Sequence, residues 1–349
     1  MTGQTARNRH AWAEPGAFEV APGVHRIPLP LPRDDLRAVN AYAIEDAGDL
    51  VLIDSGWAHE KTQQQLESAL RDIGHRLSDV KRVYVTHHHY DHYTLAVRLR
   101  RAFGTEIVLG SAERPSLEAI LARQEFQQVG QLQKWGADEL LLELANQFGS
   151  GDSLRAATRQ SSYELPDRWI TGRTEIDLAE RALLAVPTPG HTRGHLVFAD
   201  PAARLLFSGD HVLPHITPSI GLEPARSDLP LGEFLESLRL MQSYPDMRLL
   251  PAHGPVTASL HDRVAQLLDH HAQRLLEIKR AAEPGGTAYE VAQRLRWTRR
   301  RSPLSELELL NRFFAVAETA AHLDVLVRRG ELETSTVDGV VRYTAVCSV

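Results

Sequence analysis

From Phe18 onward, apolar and polar positions alternate along the chain. Phe18-Glu19-Val20 and Val24-His25-Arg26-Ile27-Pro28-Leu29 have the period of two that predicts short strands. Pro28, Pro30 and Pro32 suit an antiparallel sheet edge, where a missing N–H does little harm. Asn40 to Ile44 predicts another strand, and Gly48-Asp49 a hairpin turn. Leu50-Val51-Leu52-Ile53 predicts a buried strand that runs straight into Asp54-Ser55-Gly56. Between His59 and Ile73 the period lengthens: Leu66, Leu70 and Ile73 fall on one helical face. Val83-Tyr84-Val85 is strand-like, a helix is expected from about Thr94 to Phe103, and Glu106 to Leu109 closes the unit. Strand, helix, strand, helix, strand is an α/β rhythm.

Residues 111–172 break that rhythm. Leu117 to Phe148 carries helical spacing throughout, and Gly149 to Ser162 reads as a polar link. A helical insertion of this kind is where a lid or substrate pocket is expected. Strand patterning resumes at Ala182 to Val186, then Leu196 to Ala199 and Arg204 to Phe207 form a hairpin around Asp200-Pro201. A helix follows from about Leu231 to Ser243, and a last short strand from Arg248 to Pro251. Beyond it the composition shifts. A long helix from His261 to Ala282 ends at Pro284-Gly285-Gly286. Thr287 with Glu290 forms a capping box, and a second helix runs from Leu307 to Arg329. Glu331 to Val346 predicts a two-stranded ribbon turning at Asp338-Gly339. The expected division is a domain over 18–260, with its insertion at about 111–172, and a winged-helix-like domain over 261–349.

Bulk properties narrow the field. A chain of 349 residues with 43% hydrophobic and 24% charged residues can bury a sizeable core. Its net charge of -6 argues against a broad nucleic-acid-binding surface. The single cysteine, Cys347, allows no internal disulfide, which fits a cytoplasmic location. No apolar run is long enough for a membrane span, and the polar start, Met1 to Pro15, reads as a frayed terminus without a signal pattern.

The candidate chemistry is concentrated in Thr86-His87-His88-His89-Tyr90-Asp91-His92, placed where a strand ends and a loop begins. Two imidazoles two residues apart can serve one metal ion, and the following Asp and His a second. Four further strand ends deliver Asp54, His191, Asp210 and His253, each beside a glycine or, for Asp54, two residues before one. A lone Asp after a strand is commonly a turn residue. Recurrence at five strand ends is not what turn chemistry produces.

This set resembles the metallo-β-lactamase superfamily. Asp54 matches its first motif; His87, His89, Asp91 and His92 its His-x-His-x-Asp-His signature; His191, Asp210 and His253 the remaining three. The resemblance covers residues 18–260 and implies an α+β fold, an αββα sandwich with metals at one edge. Carried onto this chain, it implies that His87, His89 and His191 hold one divalent ion. Asp91, His92 and His253 hold another, Asp210 bridges the two, and Asp54 orients a ligand histidine. Asp91 and Asp54 are thus the carboxylates with a catalytic part. Zinc suits the donors best, with iron or manganese as alternatives. A metal-bridging hydroxide would attack the substrate. A bridging Asp210 resembles the glyoxalase II-like branch, whereas the tail resembles the winged-helix extension of a bacterial hydrolase group related to it. The expected substrate is an acyl thioester, ester or lactone, held by the Leu117–Phe148 helices.

The alternative is a nuclease or phosphodiesterase, for which Arg294, Arg296, Arg299, Arg300 and Arg301 beside Trp297 supply a basic run. The bland reading of that run is a solvated or dimer-forming face. His195, His211 and Tyr93 are candidate substrate contacts. His215 could line the mouth, and Trp57 could floor a pocket. His88 and Tyr90 are expected to point away from the ligands, and His270 and His271 to be solvated.

Overall fold

The structure, a computed structural model, describes residues 10–32, 36–122, 127–148 and 162–346, and every count below refers to these. Seven strands form the first sheet in chain order: β1 (Phe18–Ala21), β2 (Val24–Pro30), β3 (Ala38–Asp46), β4 (Asp49–Ile53), β5 (Val80–Tyr84), β6 (Glu106–Gly110) and β7 (Arg168–Ile170). Pairing is antiparallel as far as β4 and parallel from β4 to β7. The second sheet holds β8 (Thr174–Asp177), β9 (Ala182–Pro187), β10 (Leu196–Asp200), β11 (Leu205–Gly209) and β12 (Arg248–Pro251), in the order β12-β11-β10-β9-β8.

The period of two decides which layer each side chain joins. Along β3, Tyr42 and Ile44 face the second sheet, where they meet Phe198, Phe207 and Leu250; Val39, Ala41 and Ala43 face the other way. Tyr42 meets Phe207 edge to face at 5.2 Å. Outside the first sheet lie α1 (Glu60–Asp72), α2 (Tyr90–Phe103) and α3 (Arg114–Leu121), which bury Leu66, Leu95 and Leu117. The helices α4 (Gln127–Lys134) and α5 (Asp138–Phe148) follow. The second sheet's outer face, with Val186, Val197 and Leu206, is covered by α6 (Pro230–Ser243) and α7 (Leu260–Ala282). Two sheets packed between helix layers make the expected αββα sandwich.

The tail contains α8 (Ala288–Arg294), α9 (Leu309–Arg328) and the ribbon β13 (Leu332–Val337) with β14 (Val340–Ala345). The capping box of Thr287 and Glu290 starts α8. The tail's apolar side chains share one cluster with the sandwich, so Val316 and Leu323 belong with Leu206 and Val264.

Several expectations need correcting. The helix α2 starts at Tyr90 rather than near Thr94, because Asp91 and His92 occupy its first turn and hide its apolar period. The insertion is not helical up to residue 172: β7 joins the first sheet, and both β7 and β8 are too short to show alternation. Leu132, Trp135, Leu140 and Leu144 of the 127–148 stretch pack into the cluster of the tail, and the Tyr289 N–H donates to the Trp135 carbonyl at 3.1 Å. Through these described side chains the helices brace the C-terminal region. His271 is buried at 2% exposure against His322, not solvated. Ala11–Ala13 forms a helical turn that Arg26 holds through the Trp12 carbonyl, so the start is not wholly frayed. The predicted link at Gly149–Ser162 lies outside the described residues up to 161, as does Cys347.

Asn40 couples this fold to the site. Its Nδ2 donates to the carbonyls of Pro251 and Gly254, both at 2.9 Å, while its Oδ1 accepts from Arg26 at 3.0 Å. Asn40→Ala removes these three buried hydrogen bonds and is expected to cost about 2–3 kcal/mol in urea unfolding. A loss under about 0.5 kcal/mol, typical of surface substitutions, would contradict this assignment.

Candidate metal centre

The loops that leave the strands at one end of the sandwich bring all seven proposed ligands together. His87 and His89 precede α2, Asp91 and His92 lie in its first turn, His191 follows β9, Asp210 follows β11 and His253 follows β12. His87 Nε2 lies 2.9 Å from His89 Nδ1, and His191 Nε2 lies 3.2 and 3.0 Å from them. Three ligand nitrogens around a tetrahedral ion with bonds of about 2.0–2.1 Å stand about 3.3 Å apart. The other half sits beside them. His253 Nε2 is 3.4 Å from Asp91 Oδ2 and 3.5 Å from Asp210 Oδ1, and His92 Nε2 is 3.7 Å from each carboxylate. Asp210 also reaches His191 Nε2 at 3.5 Å, so its carboxylate lies between the two groups.

What would aim these rings at an ion is behind them. His89 Nε2 faces the Leu222 carbonyl at 3.0 Å, His191 Nδ1 the Ser219 carbonyl at 2.7 Å, and His253 Nδ1 the Ala38 carbonyl at 2.8 Å. His92 Nδ1 faces Asp54 Oδ2 at 2.8 Å. A carbonyl or carboxylate oxygen only accepts, so each of these ring nitrogens carries the proton and the opposite nitrogen presents a lone pair inward. His92 Nε2, His253 Nε2 and Asp210 Oδ1 are buried with no hydrogen-bond partner. Unpaired buried acceptors aimed at one another fit a cation.

The charges agree. Burial, then neighbouring imidazoles, hold His87 and His89 well below the usual imidazole range, so both are neutral donors. Burial opposes charge at Asp210, yet His253 and His92 hold it well below the usual carboxylate range. Burial likewise opposes charge at His92, and Asp91, Asp54 and Asp210 outweigh it and push that imidazole well above its usual range. Positive charge is what this half of the site demands.

Asp54 has φ 59°, an uncommon conformation for a side chain with Cβ. Its Oδ1 accepts from the Thr86 N–H at 2.8 Å, which fixes the start of the histidine loop. Gly209 has φ 50°, and a Cβ there would stand 2.7 Å from both His195 and Thr86. Behind the loop, His88 pairs with buried Glu113, which also accepts from Thr192. Glu223 accepts from the Arg193 N–H at 2.6 Å and from Ser116 at 2.7 Å; burial, then Glu113, pushes it up to about 7. Sequence reading missed Glu113 and Glu223, which carry no motif, and gave Thr86 no role of its own.

The three candidate substrate contacts fall elsewhere. His195 is fully buried; its Nε2 accepts from the Asp210 N–H at 3.1 Å and its Nδ1 meets Thr188 at 2.9 Å, so it positions the Asp210 loop. His211 is fully buried against Phe234 at 5.2 Å, and burial pushes it down to about 3. Tyr93 is enclosed, stacks on Tyr163 and donates to the Glu164 carbonyl at 2.7 Å. None reaches a surface open to substrate. Trp57 packs edge to face on Tyr90 at 5.5 Å.

Comparison with known proteins agrees with this geometry. Residues 34–253 match the family described as the metallo-beta-lactamase superfamily, and residues 279–346 match the metallo-beta-lactamase-like C-terminal domain. The chain is 29% identical to the probable metallo-hydrolase YqjP of Bacillus subtilis, over 86% of this chain and 90% of that protein. It is 26% identical to an atrochrysone carboxyl ACP thioesterase of Aspergillus fumigatus, over 68% of this chain and 58% of that one. With the hydroxyacylglutathione hydrolase GloC of Haemophilus influenzae it shares 27% identity, over 61% and 84%. A solved beta-lactamase domain protein from Burkholderia ambifaria superposes with a TM-score of 0.74 at 27% identity, over 95% of this chain and 93% of that one.

Asp54→Asn keeps an acceptor for Thr86 but turns an amide N–H toward His92, which forces the wrong tautomer. Competition with a chelator is expected to show metal affinity lowered by about 10–100-fold. Affinity equal to the unaltered protein would contradict the role given to Asp54.

Proposed function

Since the chain belongs to the metallo-β-lactamase superfamily, we propose that it hydrolyses an acyl thioester at a pair of divalent metal ions, zinc being the best fit to the donors. The observation that carries this reading is the convergence of seven His and Asp side chains, with inward lone pairs fixed from behind. His87, His89 and His191 would hold one ion, Asp91, His92 and His253 the other, with Asp210 between them. When bound, such ions lower the pKa of water and polarise an acyl carbonyl.

This chain's own residues set the rest. Asp54 and the Leu222, Ser219 and Ala38 carbonyls keep the imidazoles aimed, and His195 keeps Asp210 in place. Burial opposes charge on Asp91, yet His92 and His253 hold it below the usual carboxylate range, so it is ionised at neutral pH. We assign its carboxylate to take the proton that water gives up on attack. Water adds to the acyl carbon, the carbon–sulfur bond breaks, and the proton leaves with the thiolate. The names of two relatives, a thioesterase and a hydroxyacylglutathione hydrolase, support a thioester over other acyl compounds.

A panel of acyl thioester, lactone, β-lactam, bis(p-nitrophenyl) phosphate and short RNA tests the proposal. Thioester turnover should be fastest, disappear with chelator and return with zinc. Turnover of the phosphodiester or RNA without any thioester would sink it.

A further inference from the structure

His253 of the metal centre lines a cleft of about 1420 Å³. One wall is the N-terminal segment with Trp12 and Arg37; the other is α7 and the loop that follows α8. None of the described residues of 111–148 lines it; the C-terminal region supplies most of its lining. Arg263, Leu267, His270, Arg274, Glu277 and Arg280 recur on the cleft side of α7, which spans about 26 Å of helix.

Charge sets this cleft apart. Eight of its lining residues are arginines, against two carboxylates, Glu277 and Glu318, in a chain whose net charge is -6. The run Arg294, Arg296, Arg299 and Arg301 supplies half of them. Its expected role as a solvated face is therefore incomplete, since these side chains converge on the space that His253 also lines. Among the described residues, Arg274 alone of the eight has a carboxylate partner, in Glu277 and Glu318. Arg263 donates to the carbonyls of Leu213 and Ile216, and Arg294 to those of Ala281 and Gly285. Carbonyls orient a guanidinium without neutralising it. Uncompensated arginines gathered in a concave site are an arrangement for phosphate groups. Between them lie Trp12, Leu36, Ile216 and Leu267, apolar surface for an uncharged arm.

We infer that this cleft binds the thiol side of the substrate, and that the substrate is an acyl thioester whose thiol carries a nucleotide-type, multiply phosphorylated handle of the coenzyme A kind. The inference rests on the thioester reading above. The phosphates sit on the arginines, the uncharged arm crosses the apolar stretch, and the thioester reaches the end lined by His253. The thioester reading of the metal centre favours a small substrate here over a long polyanion.

The test uses the zinc-loaded protein. Binding of adenosine 3′,5′-bisphosphate, the nucleotide end of the handle without the uncharged arm and one phosphate, is measured by calorimetry. In parallel, kcat/KM is measured for butyryl-coenzyme A and for the same acyl group on N-acetylcysteamine. The double variant Arg296→Glu, Arg299→Glu is compared with Arg71→Glu, a reversal on α1 remote from the cleft. The bisphosphate is expected to bind, and the coenzyme A thioester to be preferred by at least about tenfold; the double variant should lose both, as charge-assisted phosphate contacts require. Arg71→Glu should change neither. Equal zinc content and unfolding midpoints show that the variants are folded. Equal kcat/KM for the two thioesters with no bisphosphate binding overturns the inference and leaves the thioesterase reading standing. No turnover of either thioester overturns both. Binding and cleavage of a single-stranded oligoribonucleotide, lost in the double variant, overturns the inference in favour of RNA.

Discussion

A hydrogen bond on the far side of an imidazole is the constraint on which this molecule turns. A neutral imidazole has one proton and one lone pair, and whatever accepts the proton decides where the lone pair points. In this chain the Leu222, Ser219 and Ala38 carbonyls and the Asp54 carboxylate occupy those far sides. The result is a set of inward acceptors that cannot satisfy one another, including the buried and unpaired His92 Nε2, His253 Nε2 and Asp210 Oδ1. Left so, each costs about 1–3 kcal/mol. A site that concentrates such a cost, and that holds Asp54 at φ 59° to do so, is built for cations.

The sandwich exists around that requirement as much as the reverse. Its proposed ligands come from both sheets, so the sheets must meet in one register. Tyr42 and Asn40 of β3 both donate to the Pro251 carbonyl, at 2.8 and 2.9 Å, tying the first sheet to the loop of His253. The Ala252 N–H donates to the Gly209 carbonyl at 3.1 Å, joining that loop to the one that carries Asp210. Glu113 bridges the histidine loop and the loop of His191 through His88 and Thr192. The C-terminal region contributes none of the seven proposed ligands, but it walls the cleft that His253 lines, so the centre and the cleft meet at one residue.

How much of this was legible follows from how far each signal reaches along the chain. Asp and His at successive strand ends were legible because a metal centre needs several donors, and strand ends are where a sandwich can aim them. Strands as short as four-residue β1 and β12 were legible from alternation or an apolar run; four-residue β8 and three-residue β7 showed neither and were missed. The start of α2 was misplaced because ligands occupy the positions where an apolar period would show. His271 was expected to be solvated and His211 to touch substrate, because a histidine's burial depends on partners distant in sequence: His322 for one, Phe234 for the other. Glu113 and Glu223 were invisible for the same reason. The run from Arg294 to Arg301 was seen, but which space it faces is decided by how the tail packs on α7. The helices of 127–148 were seen too, and their true partner, the tail, was not.

The central claim is that the two ligand groups form two adjacent metal sites sharing Asp210. Anomalous scattering from crystals grown with excess zinc, collected across the zinc edge, tests it most directly. Two peaks are expected about 3.5–4 Å apart, the spacing of two-metal hydrolytic sites. One should lie among His87, His89 and His191, the other among Asp91, His92 and His253. A single peak, or none, at saturating zinc would contradict the account.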